Sequence, residues 1–246
     1  MIRSRASRAL AVMVLLVVAA CGSSAPTERP LTTDEADRLA SVLFTNHEGG
    51  GATFTLSTTF TGTGSTLSMS GVVDWTTLTG QATVTATGQE AGVTEVFWSQ
   101  NVVVERRPAL DAVLAATDHP TVRYVYRAVD TGTRQLDRAI GILLGLASAQ
   151  RENAILITQK EGSAFLRADK WRGETVDVLR YGSQNRFWLK QGTSVLRRFD
   201  GNAAAGSAPI IIDFLQTGKR SVSPPPESLV ISADDIKEAY AAATGG

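Results

Sequence analysis

Through the first third of the chain, apolar residues alternate with threonine and serine, and that period of two decides most of what the sequence can fold into. Phe54, Leu56 and Phe60 alternate with Thr53, Thr55, Ser57 and Thr59. Leu67, Met69, Gly71, Val73 and Trp75 alternate with Thr66, Ser68, Ser70 and Asp74. Ala82, Val84 and Ala86 alternate with Gln81, Thr83, Thr85 and Thr87. Successive side chains of a strand point to opposite faces, so each segment predicts a strand with one buried face. Threonine is β-branched and suits a pleated surface, so the polar positions favour strands as well. Gly62-Thr63-Gly64, Thr79-Gly80 and Thr87-Gly88 supply the breaks. Three half-buried strands with short connections predict an antiparallel meander, extended by Val93 to Trp98 and Val102 to Glu105.

Helical spacing brackets this region. Thr32 or Thr33 is placed to cap a helix, with Asp34 and Glu35 in its first turn, where carboxylates suit the helix dipole. Ala36, Leu39, Ala40, Leu43 and Phe44 follow at helical spacing, and Gly49-Gly50-Gly51 ends the segment. Residues 133–150 predict a second helix with Leu136, Ile140, Leu143 and Ala147 on one face, and Ile142, Leu144 and Leu146 add a second apolar side. Gly141 and Gly145, four apart, would let another element come close. Strand-like runs return at 154–158, 163–168, 175–181, 186–190, 194–199 and 209–215, and residues 234–243 predict a short terminal helix.

The N-terminus is of another kind. Arg3, Arg5 and Arg8 precede twelve residues, Ala9 to Ala20, none of them polar. As a helix this run is too short to cross a hydrocarbon layer of about 30 Å, and it has the length of a signal-peptide core. It ends in Val18-Ala19-Ala20-Cys21, which resembles a bacterial lipobox: an aliphatic residue, two small residues, and a thiol that receives diacylglycerol. Cys21 is the chain's one cysteine, so it has no intramolecular disulfide partner. The expected organisation is a signal peptide over 1–20, a lipidated flexible tether over 21–31 and one domain over 32–246. The expected location is the extracytoplasmic face of the cell membrane.

The chain has 24 basic and 24 acidic residues; without the three signal arginines the balance is near −3. Arg106-Arg107 and Arg197-Arg198 are isolated pairs, so no basic stripe points to nucleic acid. The two histidines, His47 and His119, stand far apart in unlike settings. The serine-nucleophile signatures G-x-S-x-G and S-x-x-K are missing, and glycines follow His47-Glu48 where a zinc helix would have to continue. Acidic residues are scattered, and sequence alone leaves a catalytic carboxylate pair open. The expectation is a non-enzyme without metal or cofactor.

Met69-Ser70-Gly71-Val72-Val73-Asp74 followed by Thr79-Gly80-Gln81-Ala82-Thr83-Val84 resembles the strand, turn and small-residue strand of the actinobacterial LppX and LprG lipoproteins, which are related in fold to the LolA and LolB carriers. Glu174-Thr175-Val176-Asp177-Val178 is similar to a later strand of that family. Phe187-Trp188-Leu189 and Ser194-Val195-Leu196-Arg197-Arg198 are similar to its last hairpin. The resemblance implies an α+β fold: a strongly curved antiparallel half-barrel with a few helices on its concave side, holding an acylated lipid between sheet and helices. On that reading Phe54, Leu56, Leu67, Met69, Val73, Ile140, Leu143 and Leu144 line the cavity of a monomeric carrier. Arg123, Arg127, Arg134 and Arg138, which crowd the approach to the helix, depart from the family pattern. The rival expectation is a filled core and an interaction module acting on another envelope protein.

Overall fold

A computed structural model describes residues 28–60, 63–115, 121–202 and 209–244, with side chains to residue 241. The expected signal, Cys21, the first part of the tether and His119 lie outside the described residues.

The expected first helix is two, α1 (Thr33–Ala40) and α2 (Val42–Gly49). Thr32 caps α1 in a reciprocal box: its hydroxyl accepts from the Glu35 N–H at 3.3 Å, and its own N–H donates to the Glu35 carboxylate at 2.9 Å. Ser41 N–H donates to Arg38 O, a turn tighter than α-helical, and this separates the two helices. Gly50 ends α2 with φ 79°, a left-handed conformation that costs glycine nothing.

The strands follow in long runs: β1 (Gly51–Thr59), β2 (Thr66–Asp74), β3 (Thr79–Ala86), β4 (Glu95–Trp98) and β5 (Val102–Arg106). After α3 (Asp111–Ala115) come β6 (Tyr124–Ala128), α4 (Gln135–Leu144) and α5 (Ala154–Gln159). The second run is β7 (Ala164–Trp171), β8 (Glu174–Tyr181), β9 (Asn185–Lys190), β10 (Leu196–Asn202) and β11 (Pro209–Thr217). Then β12 (Val230–Ser232) and α6 (Lys237–Thr244) complete an α+β fold.

All twelve strands form one sheet in the order β12-β6-β5-β4-β3-β2-β1-β11-β10-β9-β8-β7. Every neighbouring pair is antiparallel except β12 with β6. Two meanders, β1–β6 and β7–β11, therefore meet where β1 pairs with β11. The chain leaves β6 near one edge of the sheet and re-enters at β7 on the other, so the connection carrying α4 and α5 must travel the sheet's full width.

Register sets one layer of apolar side chains under α4. Leu56 faces Met69 across β1 and β2, and Met69 faces Val84 across β2 and β3. These residues share a continuous core with Leu136, Ala139, Ile140 and Leu143 of α4. Two buried donors fix the helix over the sheet: Trp75 Nε1 donates to Leu143 O at 3.1 Å, and Asn46 Nδ2 donates to Leu146 O at 2.7 Å. Backbone bonds from Ser148 to Leu43 O and from Glu152 to Ala40 O tie the same connection to α1 and α2. The alternating threonine and serine positions of β1–β3 face the other side and are partly or fully exposed, as the alternation predicts, while Thr58 falls in phase with Phe54 and Leu56 and is buried.

The structure corrects three local expectations. Residues 154–158, expected as a strand, form α5, because Asn153 caps them by accepting from Ile155 N–H at 2.9 Å. The helix expected over 133–150 is regular only for ten residues and ends at Gly145. Beyond it, the Leu146 carbonyl and the Ser148 N–H bond to α2 instead of continuing the helix. Gly141 and Gly145 do not mark a close helix contact, since both are exposed; a Cβ on Gly141 would meet only Thr131 at 3.7 Å.

Candidate functional site

A pocket of about 300 Å³ opens beside the end of α4, between α1, α2 and the strands β8 to β10. Helical spacing supplies its roof: Leu39 from α1, Val42 and Leu43 from α2, and Ile142, Gly145 and Leu146 at the end of α4. Strand alternation supplies its floor, with Phe187 from β9 and Phe199 from β10 meeting edge to face at 5.2 Å between ring centres. Gly201 sets the pose of Phe199, because a Cβ there would lie 2.4 Å from that ring and 2.6 Å from Asn185 Oδ1. The apolar Leu39, Val42, Leu146, Phe187 and Phe199 are buried, whereas Glu152, Tyr181, Asn185 and Asn202 are exposed or half-buried at the mouth. Burial, and then the Glu152 carboxylate, push the Tyr181 hydroxyl above its ordinary value, so it stays a neutral donor at physiological pH. No lysine or arginine is among the lining residues.

Two ion pairs hold the roof in place. Arg38 of α1 donates to Asp177 of β8 at 2.8 Å, with both side chains largely buried. Arg29 bonds Glu35 through both guanidinium ends at 2.7 Å, and its guanidinium lies 4.2 Å above the Phe165 ring of β7. The backbones of Arg29 and Phe165 exchange two hydrogen bonds at 3.1 and 2.9 Å. Residues 28–31 of the expected tether are thus tied to the folded body.

The residues expected to line a cavity sit elsewhere. Phe54, Leu56, Leu67, Met69, Val73, Ile140 and Leu143 are in the core beneath α4, and Leu144 is half-buried against it. None of the eight lines the pocket at α4's end. Leu56 and Met69 also border a groove of about 320 Å³ framed by Thr55, Ser57, Ser68 and Ser70. The expected lining lay on β1, β2 and α4, whereas the pocket lies between α1, α2, the end of α4 and strands of the second meander.

A buried ion network occupies the opposite end of the sheet. Arg107 donates to Glu105 at 2.9 Å, to Glu90 at 3.3 Å and to Ala91 O at 3.1 Å. Arg127 holds Asp137 of α4 with two bonds of 2.7 and 2.8 Å and lies 3.6 Å from Glu105. The Tyr240 hydroxyl of α6 donates to Glu105. Burial pushes the Glu90 carboxyl up, and the neighbouring arginines only partly offset this. Burial also opposes ionisation of Glu105, but Arg107, Arg127 and the Tyr240 hydroxyl outweigh it and hold that carboxyl below its ordinary range. Burial and then Glu105 push Tyr240 up to about 12. Arg127 and Arg134, crowded around α4 in the sequence, therefore have carboxylate partners there, Arg134 lying 3.6 Å from Glu90. With Glu90, Glu105 and Asp137 at most 1% exposed, the carboxylates serve cohesion and cannot reach a substrate in solution. Among the described residues no cluster of three or more His, Cys, Asp or Glu could hold a metal ion, and no helix is long and apolar enough to cross a membrane.

No protein-family model matches the sequence, and no curated protein matches it. Distant structural similarity is found to solved structures. An uncharacterized conserved protein from Thermus thermophilus is 9% identical over 80% of this chain and 95% of its own, at a TM-score of 0.39. LprF from Mycobacterium bovis is 12% identical over 80% of this chain and 98% of its own, at 0.40. A chain of the Pseudomonas aeruginosa MucA/MucB complex is 12% identical over 79% of this chain and 59% of its own, at 0.33.

Proposed function

We propose that this protein is a non-enzymatic, monomeric binding protein, anchored by lipid at Cys21 on the extracytoplasmic face of the cell membrane, that takes one apolar chain of a lipid or lipidated molecule into the pocket at the end of α4. The carrying observation is the distribution of chemistry in that pocket, with apolar side chains buried at its base and hydrogen-bonding groups at its mouth. Its volume of about 300 Å³ sits at the lower end of ligand pockets, which run from about 300 to 1,000 Å³. That suits a single chain. Each methylene transferred from water contributes about 0.8 kcal/mol, so an acyl chain binds firmly without catalytic or charged partners. The sheet is taken to wrap around the helices as a half-barrel.

Gly145→Leu tests the pocket. Gly145 lines it, its φ of −69° is ordinary for leucine, and a Cβ would meet only Gly141 O at 3.3 Å and Ile142 O at 3.4 Å. Protein purified natively from membranes should yield an apolar ligand to organic extraction and mass spectrometry. The variant should melt close to wild type and yield little. A wild type that carries no apolar ligand would overturn the proposal.

The filled core under α4 supports a second reading, an interaction module acting on another envelope protein. Phe54, Leu67, Val73, Ile140 and Leu143 are each at most 2% exposed there.

A further inference from the structure

Helix α5 presents an apolar pair outward. Its inner side is Ile157, 1% exposed and part of the main core, while Ile155 and Leu156 are 65% and 62% exposed. A large aliphatic pair this exposed on a capped helix stands out, since the other exposed large hydrophobics among the described residues are single and less exposed. Its position in the fold says what covers it. Glu28, the first described residue, pairs with Arg180 at 2.5 Å, and Arg180 Nε donates to Gly162 O, in the turn that follows α5. Leu156 is six residues from Gly162, which is at most about 20 Å of chain. Seven residue steps separate Cys21 from Glu28, a reach of at most about 25 Å. The chain that leads to the anchor therefore leaves the body beside α5. Because Arg29 is clamped to Phe165 and Glu35, that exit point is fixed relative to the helix.

We infer that Ile155 and Leu156 insert into the lipid surface to which the protein is tethered, so that the body is docked in one orientation and does not swing freely on its anchor. This inference rests on the lipid anchor proposed above. Arg151 and Lys160 bracket the helix, but Glu152 and Glu161 stand next to them, so apolar insertion carries the contact and charge adds little. Glu152 also borders the pocket. Docking through α5 therefore places the pocket mouth close to the bilayer, where an acyl chain can pass between the two with a short exposure to water.

The test uses the full chain carrying Leu156→Cys, purified from membranes, labelled with an environment-sensitive thiol dye and placed in vesicles of phosphatidylethanolamine and phosphatidylglycerol. A Thr85→Cys chain, labelled on the outer face of β3, is the comparison. If Cys21 is acylated, each variant takes up one dye and floats with the vesicles. The dye at position 156 should then shift to shorter wavelength on vesicles while the dye at 85 does not. Flotation with a water-exposed dye at position 156 would overturn the docking and leave the anchor standing. Two dyes per chain without flotation would overturn the anchor and the docking with it.

Discussion

Arg29 and Glu35 form a two-armed ion pair, with both contacts 2.7 Å long, between the segment that leads out to the N-terminus and the first turn of α1. Its hydrogen bonds, together with those from Thr32, hold the Glu35 carboxyl at about 2. The pair is half-open to solvent on the arginine side, so its worth is discounted for screening. Glu35→Gln should cost about 1–2 kcal/mol at pH 7, within the range for hydrogen bonds to charged groups. A carboxyl with a lowered folded pKa contributes fully above its unfolded value of about 4.3 and loses that contribution as the pH falls toward 2. Urea unfolding of wild type and variant should therefore differ at pH 6 and converge near pH 2.

The two buried glutamates of the ion network should respond unequally. Glu105 has its charge favoured by the fold, and Glu105→Gln leaves Arg107 and Arg127 short of a partner, at a cost of about 3 kcal/mol or more. Glu90 has its charge disfavoured. Its contribution is present below the ordinary glutamate value and lost as pH rises through the raised one, so Glu90→Gln, although it takes a partner from Arg107 and Arg134, should cost less at pH 7 than Glu105→Gln. Melting temperatures of the two variants at pH 7 check the contrast. Equal destabilisation would show that the arginines do not discriminate between them.

Gly80 lies against the Trp98 ring, and a Cβ there would fall 2.0 Å from it. Both are strand residues paired across β3 and β4, so neither can move far. Gly80→Ala should destabilise by about 1–3 kcal/mol, the usual range for overpacking. Chemical denaturation gives the magnitude, and a changed tryptophan emission of the folded state would place the strain at Trp98.

At the pocket, Gly201→Ala should displace both Phe199 and Asn185 from the positions they hold around the missing Cβ. Bound apolar ligand, measured by extraction from natively purified protein, should fall several-fold. Retention of ligand at the wild-type level would mean that Phe199 does not shape the site.

The sequence was most legible where local chemistry and tertiary demand agreed. The alternation over 53–87 placed β1, β2 and β3 and their exposed faces, because strand period and half-burial point the same way. The cap was legible to within one residue, at Thr32 or Thr33, and the box with Glu35 three positions on places it at Thr32. Residues 154–158 misled, since the β-branched Ile155, Ile157 and Thr158 have strand propensity, while the cap at Asn153 and the crossing path impose a helix. The ion network was hidden for another reason. Glu90 and Arg107 are 17 residues apart and Arg127 and Asp137 ten apart, and only the fold brings them together. The pocket lining was missed because the cavity was expected between the first strands and α4, although the phase of Asn185, Phe187 and Leu189 along β9 was there to show which side chains share a face.

The junction of the two meanders also governs how the chain reaches its native state. Leu56 of β1 is opposite Ile212 of β11, 156 positions later, and contacts at such separation form slowly. The hairpins from β1 to β6 close locally and early. Until β11 has been synthesised and docked, however, one side of β1 is a row of unpaired backbone donors and acceptors flanked by Phe54 and Leu56, the kind of edge on which chains aggregate. A pause or truncation after β6 would leave that edge open, so the last third of the polypeptide acts as the intramolecular guard of the first.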